Sequence, residues 1–287
     1  MRKQRLPHLR RADKRRPQME RFPAPARPIV AAMTAAAAAD PAHAVAFQGA
    51  PGANSHIAAL QAVPDGLPLP CFDFDDAIEA VQSGSAELAI IPIENSLHGR
   101  VADIHFLLPE SGLTIIGEFF LPIRYAMMGL GTRGDVREAV SHPQALGQCR
   151  QWLRVAALAP AIAADTYGLK LLVEDIADEA HNMTRFVLLA QQAIPLDGDG
   201  PFVTTLIFAL PNAPAALYKA LGGFATAGVN MTKLESYQRG ASFTATEFYA
   251  DFIGRPGDPA VDRALSELGF HAEWVRLLGT YPMARER

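Results

Sequence analysis

Two α/β bodies joined by a short linker are what this sequence predicts, and three observations predict them. From residue 44 to 190, apolar runs of strand length alternate with helical stretches, and the runs are near-continuous, as parallel strands buried on both faces require. Asp197-Gly198-Asp199-Gly200-Pro201 then interrupts the pattern as a linker, spanning 191–201 with its flanks. Beyond it, from 202 to 283, the order strand, helix, strand, strand, helix, strand is ferredoxin-like α+β.

The N-terminus stands apart. Residues 1–28 carry 10 Lys/Arg against 2 acids, so the remainder has a net charge near −12. Residues 1–43 read as a basic, Ala/Pro-rich extension without fixed structure, and residues 1–32 as dispensable for folding and activity. Ala35 to Ala39 lacks the bulky apolar core of a signal peptide. No apolar run approaches membrane-spanning length. Cys71 and Cys149 are isolated, and the eight histidines show no metal-binding spacing. A reduced, cytoplasmic setting is expected, with no metal, nucleic-acid or membrane partner.

Ala44 to Phe47 is a strand leading into Gly49-Ala50-Pro51-Gly52-Ala53-Asn54-Ser55 and a helix through Ile57 and Leu60. This layout aims free backbone N–H groups at an anion, with Asn54 or Ser55 as the helix cap. An ordinary βα turn would look the same. Phe74, Ala77, Ile78 and Val81 share one face of a helix over 73–83. Leu88 to Ile93 is a buried strand ending in Glu94-Asn95-Ser96. Leu113 to Gly117 and Ile123 to Met128 are further strands. Ser141-His142-Pro143 starts a helix with Pro at its first position. Residues 161–176 read as one helix with Tyr167 and Leu171 inward. His181-Asn182-Met183-Thr184-Arg185-Phe186 then runs into the apolar Val187 to Ala190. Polar clusters thus fall repeatedly at strand ends, where α/β domains form a crevice for a small polar ligand.

In the second body, Val203 to Leu210, Met231 to Tyr237, Phe243 to Ile253 and His271 to Tyr281 are strands. Pro214 to Ala227, stopped by Gly228, and a stretch opened by Asp258-Pro259 are helices.

Four motifs in order, Gly49 to Ser55, Ile91-Pro92-Ile93-Glu94-Asn95-Ser96, Ser141-His142-Pro143-Gln144-Ala145 and Asn182-Met183-Thr184-Arg185-Phe186, resemble the signatures of prephenate dehydratase. The part after the linker resembles that family's ACT regulatory domain, through Pro214-Ala215-Ala216-Leu217 and Gly228 to Ser236. The resemblance covers roughly residues 44–283. It implies a catalytic domain at 44–190 of two lobes, resembling periplasmic binding proteins, followed by an ACT domain at 202–283. It implies conversion of prephenate to phenylpyruvate, CO2 and water in phenylalanine biosynthesis, with no cofactor. Thr184 matches the family's essential threonine. Asn54, Ser55, Asn95, Ser96, His142, Arg185 and Phe186 are then the expected substrate contacts. Ala215, Ala216, Leu217, Asn230, Met231, Glu235 and Ser236 are the expected contacts of phenylalanine as effector, in a homodimer or homotetramer.

Two departures qualify those expectations. About one βα unit, on the order of 30 residues, is absent between Trp152-Leu153-Arg154 and Tyr167-Gly168-Leu169. The second lobe is therefore expected to be shortened and destabilised. Ala215 also stands where glycine is typical. The competing readings are a catalytically weak phenylalanine-binding relative and an arogenate dehydratase.

Overall fold

The computed structural model describes residues 18–135, 157–179, 181–198, 200–238 and 247–286. In chain order it has α1 (Gln18–Arg21), α2 (Arg27–Ala39), β1 (Ala44–Gln48), α3 (Asn54–Ala62), β2 (Leu67–Cys71), α4 (Phe74–Gln82), β3 (Leu88–Asn95), β4 (Gly99–Arg100), α5 (Ala102–Ser111) and β5 (Thr114–Pro122). There follow β6 (Ala126–Gly129), β7 (Ala157–Ala159), α6 (Ile162–Tyr167), β8 (Lys170–Val173), β9 (Met183–Ala190) and β10 (Phe202–Ala209). Last come α7 (Ala216–Ala227), β11 (Met231–Tyr237), β12 (Glu247–Ile253), α8 (Pro259–His271) and β13 (Trp274–Pro282). The chain divides into two compact units, residues up to Gly99 with Leu121–Thr184, and Arg100–Phe120 with Arg185–Arg287.

In the first unit β1 pairs in parallel with β2 on one side and β3 on the other. Phe47, Ile90, Ile91 and Ile93 are fully buried, which is why β3 reads as an unbroken apolar run. β2 was not expected from its Leu67-Pro68-Leu69-Pro70 sequence. It is tolerated because it lies at the end of its sheet, where a missing N–H costs no ladder bond. α4 follows with Asp73 as its cap, the carboxylate accepting from Asp76 N at 2.9 Å. A second sheet has the order β7-β6-β8, all antiparallel.

Several expectations are corrected here. Residues 18–43 are not unstructured: they hold α1 and α2, and Phe22 and Ala26 between the two helices form a buried cluster with Val30 on α2. The helix expected over 161–176 stops at Tyr167, because Gly168 takes the left-handed conformation (φ 65°). The chain then turns into β8, leaving Leu171 exposed rather than inward. α3 is capped by Ala53 without a side-chain bond, so neither Asn54 nor Ser55 is its N-cap. The helix expected from Ser141-His142-Pro143 lies outside the described residues, as do residues 152–156; the rest of the segment expected to lack a βα unit holds β7 and α6.

The second unit holds the order β11-β12-β10-β13, antiparallel throughout. With α7 and α8 this is the βαββαβ arrangement expected from the periodicity. Leu206, Phe208, Phe224, Phe252, Val261 and Leu268 form its core. Residues 100–120 belong to this unit, not to the body expected at 44–190. β5 approaches β13 so closely that Gly279 leaves no room for a Cβ beside Ile115 O. Thr114 Oγ1 donates to Leu278 O at 3.1 Å, and the Arg100 guanidinium to Ser236 O at 2.8 Å. β9 lies beside β5 here, although its first two residues, Met183 and Thr184, belong to the first unit.

Candidate functional site

Two strand ends meet at Asn95 and Thr184. Asn95 closes β3, and its Nδ2 donates to Thr184 Oγ1 at 3.0 Å and to Asn182 Oδ1 at 2.7 Å. Its Oδ1 accepts from the backbone N–H groups of Leu97 and His98, both at 3.0 Å. The amide is thus pinned from both ends, and Thr184 is 9% exposed. Because Thr184 Oγ1 accepts from Asn95, its own proton points elsewhere and remains available to a ligand oxygen.

Ser96 serves the same assembly differently from expectation. Its hydroxyl donates to His181 O at 3.0 Å and accepts from Met183 N at 3.0 Å, so it positions the approach to β9. Asn182 is 3% exposed, locked beneath the same amide.

The Gly49–Ser55 turn stands at the end of β1, the parallel neighbour of β3, so both candidate clusters lie toward one edge of this sheet. Gly49 and Gly52 adopt positive φ (116° and 86°), conformations a side chain would strain. Asn54 and Ser55 begin α3, whose first N–H groups are free to face an anion. His56 was not singled out from sequence. Its Nδ1 accepts from Gly52 N at 3.1 Å, which places the imidazole proton on Nε2, and its ring stacks on Phe47 at 5.1 Å. Burial lowers its pKa. The available signal was its place in the first helical turn after two glycines.

Two expected substrate contacts fall elsewhere. Arg185, next to Thr184 on β9, projects to the other strand face. There Nε meets Glu118 Oε2 at 2.8 Å, Nη1 meets Asp251 Oδ2 at 2.6 Å and Nη2 meets the Tyr281 hydroxyl at 2.9 Å. Burial works against its charge, but Asp251 and Glu118 outweigh it and hold the guanidinium protonated. Its guanidinium nitrogens are thus committed to Glu118, Asp251 and Tyr281. Phe186 is 1% exposed, a core side chain. His142 lies outside the described residues.

The expected effector residues are also dispersed. Ala215 and Ala216 stand at the N-terminal end of α7, with Leu217 packed on the core. Asn230 and Met231 follow the other end, about 18 Å away along a twelve-residue helix. Ser236 is exposed, and Glu235 lies between Lys233 Nζ at 2.6 Å and His105 Nε2 at 3.6 Å.

Comparison with known proteins identifies the family to which this α/β scaffold, with its asparagine-held threonine at a strand end, belongs. The prephenate dehydratase family model matches residues 45–155 and 154–194, and the chain belongs to that family of lyases. Among its relatives, a bifunctional N-acyl-homoserine lactone acylase/prephenate dehydratase of Komagataeibacter europaeus is 45% identical over 267 residues, covering 83% of this chain and 95% of the relative. The chloroplastic arogenate dehydratase/prephenate dehydratase 1 of Arabidopsis thaliana is 33% identical over 281 residues, covering 83% and 72%. A prephenate dehydratase of Arthrobacter aurescens, solved in complex with L-Phe, superposes with a TM-score of 0.74 at 30% identity, covering 84% and 90%.

Proposed function

We propose that the chain converts prephenate to phenylpyruvate, CO2 and water, with Thr184 as the residue that assists the departing ring hydroxyl. The observation that carries this reading is the 3.0 Å bond from Asn95 Nδ2 to Thr184 Oγ1. In the reaction the carbon–carboxylate bond breaks and its electron pair enters the ring. The ring carbon–oxygen bond breaks in turn, and the leaving hydroxide takes a proton to become water. Aromatisation supplies the driving force. A threonine hydroxyl is a weak acid, so its contribution is a hydrogen bond that strengthens as negative charge grows on the leaving oxygen. Asn95 raises that capacity by donating to the same oxygen and fixing its rotamer.

With Arg185 committed to Glu118 and Asp251, recognition of the two substrate carboxylates falls to the N–H groups at the start of α3 and to Asn54 and Ser55. The two sheets of the first unit are read as two lobes resembling periplasmic binding proteins, closing on a cytoplasmic substrate. The βαββαβ unit is read as an ACT domain that binds phenylalanine as feedback effector. The dispersal of its candidate contacts along α7 supports a site completed by a second copy, hence a homodimer or homotetramer. No cofactor takes part.

The test is phenylpyruvate formation from prephenate by wild type, Thr184→Val, Thr184→Ser and Asn95→Ala. Thr184→Val should lose about 10²–10⁴-fold in kcat, Thr184→Ser should retain most of it, and Asn95→Ala should fall between. Unchanged turnover in Thr184→Val would remove the assigned role. Arogenate in place of prephenate tests the amino-group variant. A second reading, hydrolysis of N-acyl-homoserine lactones, is favoured by the 45% identity to the bifunctional relative over 95% of its length. Release of the free homoserine lactone by the same four proteins checks it.

A further inference from the structure

We propose that residues 19–30 form a built-in strap that sets the position of the Gly49–Ser55 turn, making Arg21 and Phe22 positioning residues for the site. This rests on reading that turn as part of the substrate site. The strap precedes residue 45, where the family match begins.

The strap is held at two points. Arg21 forks onto the start of α4, with Nη2 at 2.6 Å from Asp73 Oδ2 and Nη1 at 2.8 Å from Asp76 Oδ2. Its guanidinium also lies 4.3 Å from the centre of the Phe72 ring, and its side chain is only 6% exposed. A surface pair would be screened and weak, whereas this fork is sheltered and bidentate. Phe22 stands edge-on to Phe72 with ring centres 5.6 Å apart. Arg27 closes the bend behind it, Nε donating to Phe22 O at 2.9 Å and Nη2 to Glu20 O at 3.0 Å.

What the strap touches gives it consequence. Phe22, Ala26 and Val30 form one buried cluster with Ala50, in the turn, and Tyr167, at the end of α6. Tyr167 donates from its hydroxyl to Pro51 O at 2.8 Å. At Gly52 the turn approaches α6 so closely that a Cβ would lie 3.0 Å from the Cβ of Ala163. Turn, α6 and strap therefore meet in one packed contact, and His56 holds the turn from its other side through Gly52 N. Loosening the strap frees Ala50 and Tyr167 together, and with them the N–H groups that begin α3.

Hydrogen exchange, followed by mass spectrometry on the full chain without substrate, tests this with Arg21→Met, Arg21→Lys and Phe22→Ser. Amides of residues 49–56 should exchange about tenfold faster in Arg21→Met and Phe22→Ser, with Arg21→Lys between them and wild type. Strand 202–209 should keep its protection, and KM for prephenate should rise more than kcat falls. Fast exchange over 18–39 with wild-type exchange over 49–56 in Arg21→Met overturns the proposal, whatever Phe22→Ser does to folding. Faster exchange over 49–56 with unchanged KM in an active chain overturns the link to the site. A chain without prephenate turnover sinks the dehydratase reading instead, and exchange alone then decides the strap.

Discussion

Arg185 Nη1 lies 2.6 Å from Asp251 Oδ2, across 66 residues of sequence, in a site closed to water. The contact is one side of a ring of hydrogen bonds. Arg185 Nη2 donates to the Tyr281 hydroxyl; Thr205 Oγ1 donates to Asp251 Oδ1 at 2.6 Å; and the Tyr281 hydroxyl therefore donates to Thr205 Oγ1 at 2.7 Å. Glu118 completes the setting, accepting from Arg185 Nε and, through Oε1, from Ala284 N at 3.1 Å. One guanidinium thus ties β9 to β5 and to β12 and β13 of the four-stranded sheet.

Removing that cation should be costly. Arg185→Met leaves two buried carboxylates facing each other and should destabilise the fold by about 3–5 kcal/mol, read as a lower midpoint in urea unfolding. Arg185→Lys keeps the charge but cannot fork, and should fall between. An unchanged midpoint with a raised KM would instead return Arg185 to the substrate.

Stability should also depend on pH through His56. Burial holds its pKa below the ordinary 6.5, and Gly52 N–H needs the neutral ring as acceptor. The unfolded chain takes up a proton near pH 6.5, while the folded chain does so only at lower pH. Stability is therefore complete above that value and declines as pH falls through the window below it. His105, lowered first by burial, acts in the same direction. Urea midpoints at pH 7.5, 6.5 and 5.5 should drop more steeply in wild type than in His56→Gln; parallel curves would show that His56 does not titrate in this way.

Ala215 sits at φ 60° and ψ 19°, left-handed backbone where a Cβ is crowded. Ala215→Gly should relieve that strain and stabilise the chain by up to about 1 kcal/mol. Thermal unfolding checks this, and a lower Tm would mean that the flexibility gained by the unfolded glycine outweighs the relief.

The Cys71 thiol is pushed up to about 12 by burial and then by the charges of Asp76 and Asp73. It should resist alkylation at pH 8 in the folded protein and react once the chain is unfolded in urea. Peptide mapping of the alkylated protein separates it from Cys149. Rapid labelling of native Cys71 would mean that the segment between β2 and α4 opens readily.

By itself the sequence determined the kinds and order of most elements, because strand and helix periods and turn residues are local properties. It placed β1, β3, β9 and the βαββαβ order, and it marked Asn95 and Thr184 as polar residues at strand ends. Gly168 carried an equally local stop signal that a single helix over 161–176 overrode. Ala215 was legible as a departure from glycine, and the structure supplies the reason in its φ. Tertiary structure alone decided the partners. Arg185 looked like a carboxylate ligand because a cation beside Thr184 is what a dianion needs. Its actual carboxylates stand 66 and 67 residues away, Asp251 and Glu118, and nothing local announces either. The N-terminal segment looked expendable because its few apolar residues show no period. Phe22 and Val30 gain their role only where the fold brings Ala50, Phe72 and Tyr167 together to receive them. Residues 100–120 likewise joined the second unit because Gly279 has no side chain to keep Ile115 away.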